Sequence, residues 1–459
     1  MMITAIGGAV FLAGFPSGVA GAQTSGDWSA YLDNMARTGY NSAEATISAS
    51  TAPNLKQLWT DGNGGAVSAE PVTSGGVAFY GAWDGYERAA NAATGAKLWS
   101  TYLGQTTDSS CEPPTVGVAS TAAVGSITTN GTATRAVFVG GGDGNFYALN
   151  ASTGGVIWKA RLGTPPAYFL WSSPVFYKGS IYEGLSSFGD CPLIRGGIVQ
   201  MNAITGAVRK TFYTAPAGCT GASVWGSPTV DTATGDIYFG TGNAGSCGSP
   251  ETLASAVIQT DSSLSLLSTW QVPGNQQIKD GDFGSTPTLF HAYMSGVLHQ
   301  MVGLPNKNGV YYAFDRSSLS SGPLWQRRTS YGGACPECGE SDISSSAYDG
   351  HHLFVGGEKG KVKEALCAGN IKELRPSTGG IVWADCLQSG PVIGAVTGVP
   401  GVVFVGAGNT VYAVNMNNGA ILWTYQDTLT GSNFWGPAAI SNGIAYIGNQ
   451  DGNLYAFGT

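Results

Sequence analysis

The sequence predicts an all-β protein, a single eight-bladed β-propeller whose last blade is completed by an N-terminal strand. Three observations predict it. A segment ending in a Thr-Gly turn and a tryptophan recurs along the chain. A β-hairpin with a Gly or Asp-Gly turn precedes its better copies. An orphan copy of the final strand lies near the N-terminus, and the last hairpin lacks one.

The repeat is read first, because an array of repeats removes the prior that a long chain splits into several domains. Asn91-Ala-Ala-Thr-Gly-Ala-Lys-Leu-Trp99 aligns with Asn150-Ala-Ser-Thr-Gly-Gly-Val-Ile-Trp158, Arg375-Pro-Ser-Thr-Gly-Gly-Ile-Val-Trp383 and Asn415-Met-Asn-Asn-Gly-Ala-Ile-Leu-Trp423. Degenerate copies run from Asn202 to Gly206, Asp261 to Trp270 and Asp315 to Trp325, making seven internal copies. The glycine supplies a positive φ in the turn. Each indole is expected to lie flat between neighbouring blades, burying a large area.

The hairpin element is Val137-Phe-Val-Gly-Gly-Gly-Asp-Gly-Asn-Phe-Tyr-Ala-Leu-Asn150, with relatives at Val403 to Asn415 and Ala445 to Phe457. Apolar runs of four or five residues bounded by such turns suit strands buried on both faces. A repeat of about 40 to 60 residues suits a four-stranded blade. The final hairpin reaches Thr459 without its Trp strand, and Leu55-Lys-Gln-Leu-Trp59 is the orphan. Joining the two removes a free sheet edge and gives the eighth blade.

Composition agrees. Charged residues are 11% of the 459 and hydrophobic ones 43%, so apolar surface suffices for a core. The 70 glycines follow no collagen period and mark tight turns. Net charge is −8 with no basic run, which excludes a nucleic-acid partner and disfavours an anionic membrane surface. Ile3 to Phe15 is too short to span a bilayer and precedes Ala20-Gly21-Ala22. Residues 1–22 are therefore expected to be an export signal, 23–459 the propeller, and the location secreted, periplasmic or at the cell envelope. Beyond that signal no membrane span is expected. Eight cysteines in an exported chain favour disulfides, with pairing expected within the group Cys335, Cys338, Cys367 and Cys386. A zinc site at Cys335-Pro-Glu-Cys338 is the rival.

From Leu55 to Thr459 the repeat resembles the tryptophan-docking motif of the pyrroloquinoline quinone (PQQ) dehydrogenases and related propellers. Val224-Trp225-Gly-Ser-Pro-Thr-Val-Asp231 with Ile237-Tyr-Phe-Gly-Thr-Gly-Asn243 is similar to the quinoprotein alcohol dehydrogenases. There the Trp forms the floor under the quinone, and the Asn ligates calcium. Asp280-Gly-Asp-Phe-Gly-Ser-Thr-Pro287 resembles the segment holding the catalytic aspartate, which maps onto Asp282, also a metal ligand. Asn306-Lys-Asn-Gly309 resembles the turn whose cation contacts the quinone oxygens, mapping onto Lys307. Weaker matches place Glu70, Ser172 and Trp435 against the cofactor. The form of the segments at Cys191 to Gly196 and Asp282 to Ser285 looks nearest the polyvinyl alcohol dehydrogenase branch.

The resemblance implies PQQ and calcium, a small or polymeric alcohol as substrate, and a separate electron acceptor. Asp282 would be the base that takes the hydroxyl proton, and oxygen donors suit calcium. The departures point the other way, toward a non-catalytic propeller that binds or scaffolds at the envelope. The family's adjacent cysteine pair is absent, with only Cys111 near that place. The second metal carboxylate is replaced at best by Asp190. Gly339 follows Cys338, so no haem-attachment motif occurs.

Overall fold

The computed structural model describes residues 26–459 apart from 63 and 430. The expected export signal lies outside the described residues. Among those described, eight antiparallel sheets of four main strands succeed one another along the chain. Their innermost strands are Val72–Ser74, Ala123–Thr129, Val175–Tyr177, Thr229–Val230, Thr288–Met294, Ala347–Tyr348, Thr397–Val399 and Ala439–Ser441, for blades 1 to 8. The eighth sheet closes the ring as expected. Strand Lys56–Gly62 pairs antiparallel with Asn453–Gly458, from Lys56 opposite Gly458 to Gly62 opposite Asn453.

The tryptophan repeat is the cement between blades. Trp99 Nε1 donates to the Ala151 carbonyl at 2.9 Å, Trp158 to Ala203 at 3.0 Å, and Trp383 to Met416 at 2.8 Å. Trp59 crosses the closure to Ala92 at 3.1 Å. The acceptor in each case belongs to the turn of the next blade. There the ring lies against the turn glycine: a Cβ on Gly154 would stand 2.7 Å from the Trp99 ring. Gly154 also has φ +71°, so the position excludes a side chain twice over. In five blades a bulge interrupts the register just before the tryptophan (Trp59, Trp99, Trp158, Trp383 and Trp423), which turns that side chain toward the neighbouring blade.

Two features go beyond the repeat. A belt of hydroxyls links the inner strands' entries: the N–H of Glu70 donates to Thr121 Oγ1, Thr121 to Ser173, Ser173 to Ser227, Ser227 to Thr286, and Thr286 to Ser345, at 2.7 to 3.0 Å. Residues 28–41 then cross one end of the central channel as a plug. Trp28, Ser29, Met35, Ala36, Thr38 and Gly39 accept backbone bonds from Thr73, Val124, Val230, Leu289, Tyr348 and Gly398. Asn41 reaches the Ile440 carbonyl, and Arg37 the carbonyls of Pro174 and Pro228. One short segment thereby touches all eight inner strands or their entries.

All eight cysteines are bridged: Cys111–Cys191, Cys219–Cys247, Cys335–Cys338 and Cys367–Cys386. Pairing within the last four is as expected. Cys335, Glu337 and Cys338 do cluster. With both sulfurs in a bridge the thiolate ligands that zinc needs are gone, which removes the zinc reading.

Candidate functional site

Loops that enter the inner strands and loops between each second and third strand open on the same face. They frame a cavity of about 630 Å³ above the plug, whose Tyr31 contributes to the wall. Trp225, Asn243, Asp282, Lys307, Asp190 and Trp435 all line it. Trp225 precedes the inner strand of blade 4, and Asn243 follows that blade's second strand. Asp282 enters blade 5, and Lys307 occupies the turn between Val297–Asn306 and Val310–Asp315.

Lys307 is the hub. Its ammonium lies 2.9 Å from Asp280 Oδ2 and 3.1 Å from Asp282 Oδ2. It also stands 5.3 Å from the centroid of the Trp225 ring. The Asn243 N–H donates to Asp282 Oδ1 at 2.6 Å, and the Lys307 N–H to the Asp282 carbonyl at 2.9 Å. Asp282 is only 5% exposed. Burial pushes its pKa from 3.8 up to about 6; Lys307 opposes this, while Asp280 and Asp190 add to it. Lys307 is raised despite its own burial, because Asp282 and Asp280 hold the charged form. Trp225 packs against Gly284, where any Cβ would overlap the indole.

Asp190 stands at the mouth, on a loop tied by Cys191 to Cys111. The surrounding walls and Asp280 raise its pKa, with Lys307 and Ser187 opposing. Cys111 thus belongs to a bridge between two loops 80 residues apart at the cavity rim. Glu70 and Ser172 are not among the lining residues. Both are buried, and Glu70 accepts the Leu32 N–H of the plug at 2.6 Å. Their place is in the scaffold below the cavity rather than on its wall.

Sequence reading passed over Asp280, though the Asp280-Gly-Asp282 spacing was visible. It also passed over Trp83 and Trp171, which line the cavity from blades 1 and 3. Trp83 lies in the Asp-Gly hairpin turn of blade 1, but the repeat marks that turn and not the residue before it, so only the fold brings the indole in.

The residues present suit a planar anionic quinone with a hard cation. Trp225 offers a flat floor, and Asp190, Asp280, Asp282 and Asn243 are oxygen donors of the kind calcium takes. Among the described residues, five carboxylates line the cavity (Glu112, Asp190, Asp280, Asp282 and Glu337) against one basic side chain, Lys307. A cofactor bearing carboxylates therefore fits only together with a cation that offsets this charge.

A family model described as "Outer membrane protein assembly factor BamB" (PQQ_2) matches residues 35–168, 89–245 and 306–458. The polyvinylalcohol dehydrogenase of a Pseudomonas sp is 26% identical over 437 residues, covering 83% of this chain and 64% of that protein. The polyvinylalcohol dehydrogenase of Sphingopyxis sp. (strain 113P3) is 24% identical over 491 residues, 92% of this chain and 71% of the relative. The chain thus spans just under two thirds of the first of these relatives. The crystal structure of a quinohemoprotein alcohol dehydrogenase from Comamonas testosteroni superposes with a TM-score of 0.74 at 17% identity. That match covers 95% of this chain and 81% of the other and shows the shared fold.

Proposed function

The chain belongs to the PQQ_2 family of propellers, and from that premise we propose that it is an exported, PQQ- and calcium-dependent dehydrogenase of alcohols. The observation that carries this reading is the convergence of Trp225, Asn243, Asp282 and Lys307 on one cavity, since these four lie up to 82 residues apart (307 − 225). Four disulfides suit an oxidising compartment.

Bound quinone would supply the acceptor for the hydride of the alcohol carbon. The chain's own residues supply the rest. Asp282 is held through Oδ1 by the Asn243 N–H and through Oδ2 by the Lys307 ammonium, and Oδ2 is the oxygen that would take the hydroxyl proton. Burial raises its proton affinity, as a base working near neutrality requires. Lys307 offsets negative charge that builds on the acceptor side, and Trp225 orients the flat ring. Asp190, Asn243 and the Asp280–Asp282 pair are the donors for the cation. Electrons leave to a separate acceptor. The alcohols to try are small primary and secondary alcohols and the polyvinyl alcohol named for the relatives.

The test is to add PQQ and calcium to the purified protein, desalt it, and read quinone absorbance, then dye reduction with the alcohol panel. Retention that is lost in Trp225→Ala and Asp282→Asn supports the reading. A fully folded chain that retains no quinone overturns it and leaves a binding or scaffold propeller.

A further inference from the structure

Three tryptophans form an aromatic corner of the cavity that the proton and hydride chemistry does not use. Trp83, from the hairpin turn of blade 1, is flanked by Trp171 and Trp435, from the entries to blades 3 and 8. The Trp83 and Trp171 ring centroids are 6.4 Å apart at 71°, those of Trp83 and Trp435 6.3 Å apart at 54°. The rings meet at an angle, so they form a corner rather than a stack. Trp83 Nε1 donates to Ser68 Oγ at 2.8 Å, and Trp171 Nε1 to the Phe188 carbonyl at 3.0 Å. These two indoles turn their polar edges into the wall, and all three remain half-buried in the lining.

An indole face is electrostatically negative, and so is the rim beside it. Glu112 follows Cys111, whose bridge to Cys191 sets it next to Asp190 at the mouth, and both carboxylates are exposed. Lys307, the one basic lining residue among those described, is already engaged by Asp280 and Asp282. A cation gains from both the ring faces and the rim, a neutral chain only from contact area, and an anion from neither. We infer that the aromatic corner is a subsite for a quaternary-ammonium head group, so that the favoured substrate is an alcohol of the choline type. The substrate half of this inference rests on the redox reading above; the subsite itself does not.

The test is calorimetric titration of the full, cofactor-free chain with choline, with tetramethylammonium, and with 3,3-dimethylbutan-1-ol, the neutral isostere of choline. Both cations are expected to bind, choline about tenfold or more tighter than the isostere, with an advantage that shrinks in salt. Trp83→Phe should keep most of this affinity and a cooperatively folded Trp83→Leu should lose it. Glu112→Gln, at an exposed position, should weaken choline and leave the isostere unchanged. Equal binding of choline and its isostere, or unchanged choline affinity in Trp83→Leu or Glu112→Gln, overturns the inference. A chain that retains quinone and oxidises choline and the isostere alike keeps the redox reading and loses this one. A chain that selects choline without retaining quinone keeps the subsite and loses the redox reading.

Discussion

The Lys307 ammonium sits between two carboxylates, 3.1 Å from Asp282 Oδ2 and 2.9 Å from Asp280 Oδ2. Both Lys307 and Asp282 are buried, so neither charge is tolerable alone. Lys307→Met is expected to cost about 3 kcal/mol at pH 7, reduced by the partial exposure of Asp280. It should also abolish quinone retention. Denaturant unfolding at pH 7 and at pH 4 checks this, because protonating Asp282, whose pKa burial raises to about 6, should shrink the penalty.

Gly284 makes room for the cavity floor. Its Cβ would overlap the benzo edge of Trp225, so Gly284→Ala must displace the indole. Overpacking of this kind costs about 1 to 3 kcal/mol. The expected result is a folded protein, slightly less stable, whose quinone retention falls as far as in Trp225→Ala. Retention at the wild-type level would show that the ring does not rest on Trp225.

Stability should fall as pH rises from 5 to 8. Burial lifts Glu87 from 4.5 to about 8 with Arg88 opposing, and Asp342 from 3.8 to about 7 with Thr329 and Lys372 opposing. It lifts Glu358 to about 10, with Asp342 and Glu337 adding to the rise. Across that window the native protein keeps protons that the unfolded chain releases, so stability present below the unfolded values is lost through the folded ones. Lys372, lowered by burial to about 8 against the pull of Asp342, acts oppositely above pH 8. Calorimetric melting at pH 5, 6.5 and 8 measures the slope, and Glu87→Gln should flatten it.

The blade seams and the plug should fail separately. Trp99→Ala removes an indole that fills the seam between blades 1 and 2, at about 3 to 5 kcal/mol. Arg37→Met strips buried carbonyls at Tyr31, Pro174 and Pro228 of their donor, at about 3 kcal/mol or more. Only the plug variant is expected to increase hydrogen exchange at Thr73, Val230 and Leu289, whose amides bind residues 28–41.

Propeller and blade count were legible because the Thr-Gly-Trp frame recurs and each copy folds by the same local rules. Closure by Lys56–Gly62 was legible from one orphan strand. Residues 28–41 were not, since they follow no period and form no sheet: their bonds run to inner strands up to about 400 positions away. The polar half of the cavity could be read because each member sits in a segment with its own signature. The aromatic corner could not: Trp171 shares the Trp-x-Ser-Pro frame of Trp225 and Trp83 only precedes an Asp-Gly turn, and neither frame tells which indoles meet. The same holds for the hydroxyl belt: Ser173, Ser227 and Thr286 look like ordinary turn residues until the ring brings each under its neighbour's N–H.

The most direct measurement titrates the desalted protein with PQQ, with and without calcium, following quinone absorbance. The cavity's five carboxylates against one lysine predict stoichiometric retention with calcium and little without it, and loss of both in Asp282→Asn. Retention that ignores the cation, or none under either condition, would contradict the account.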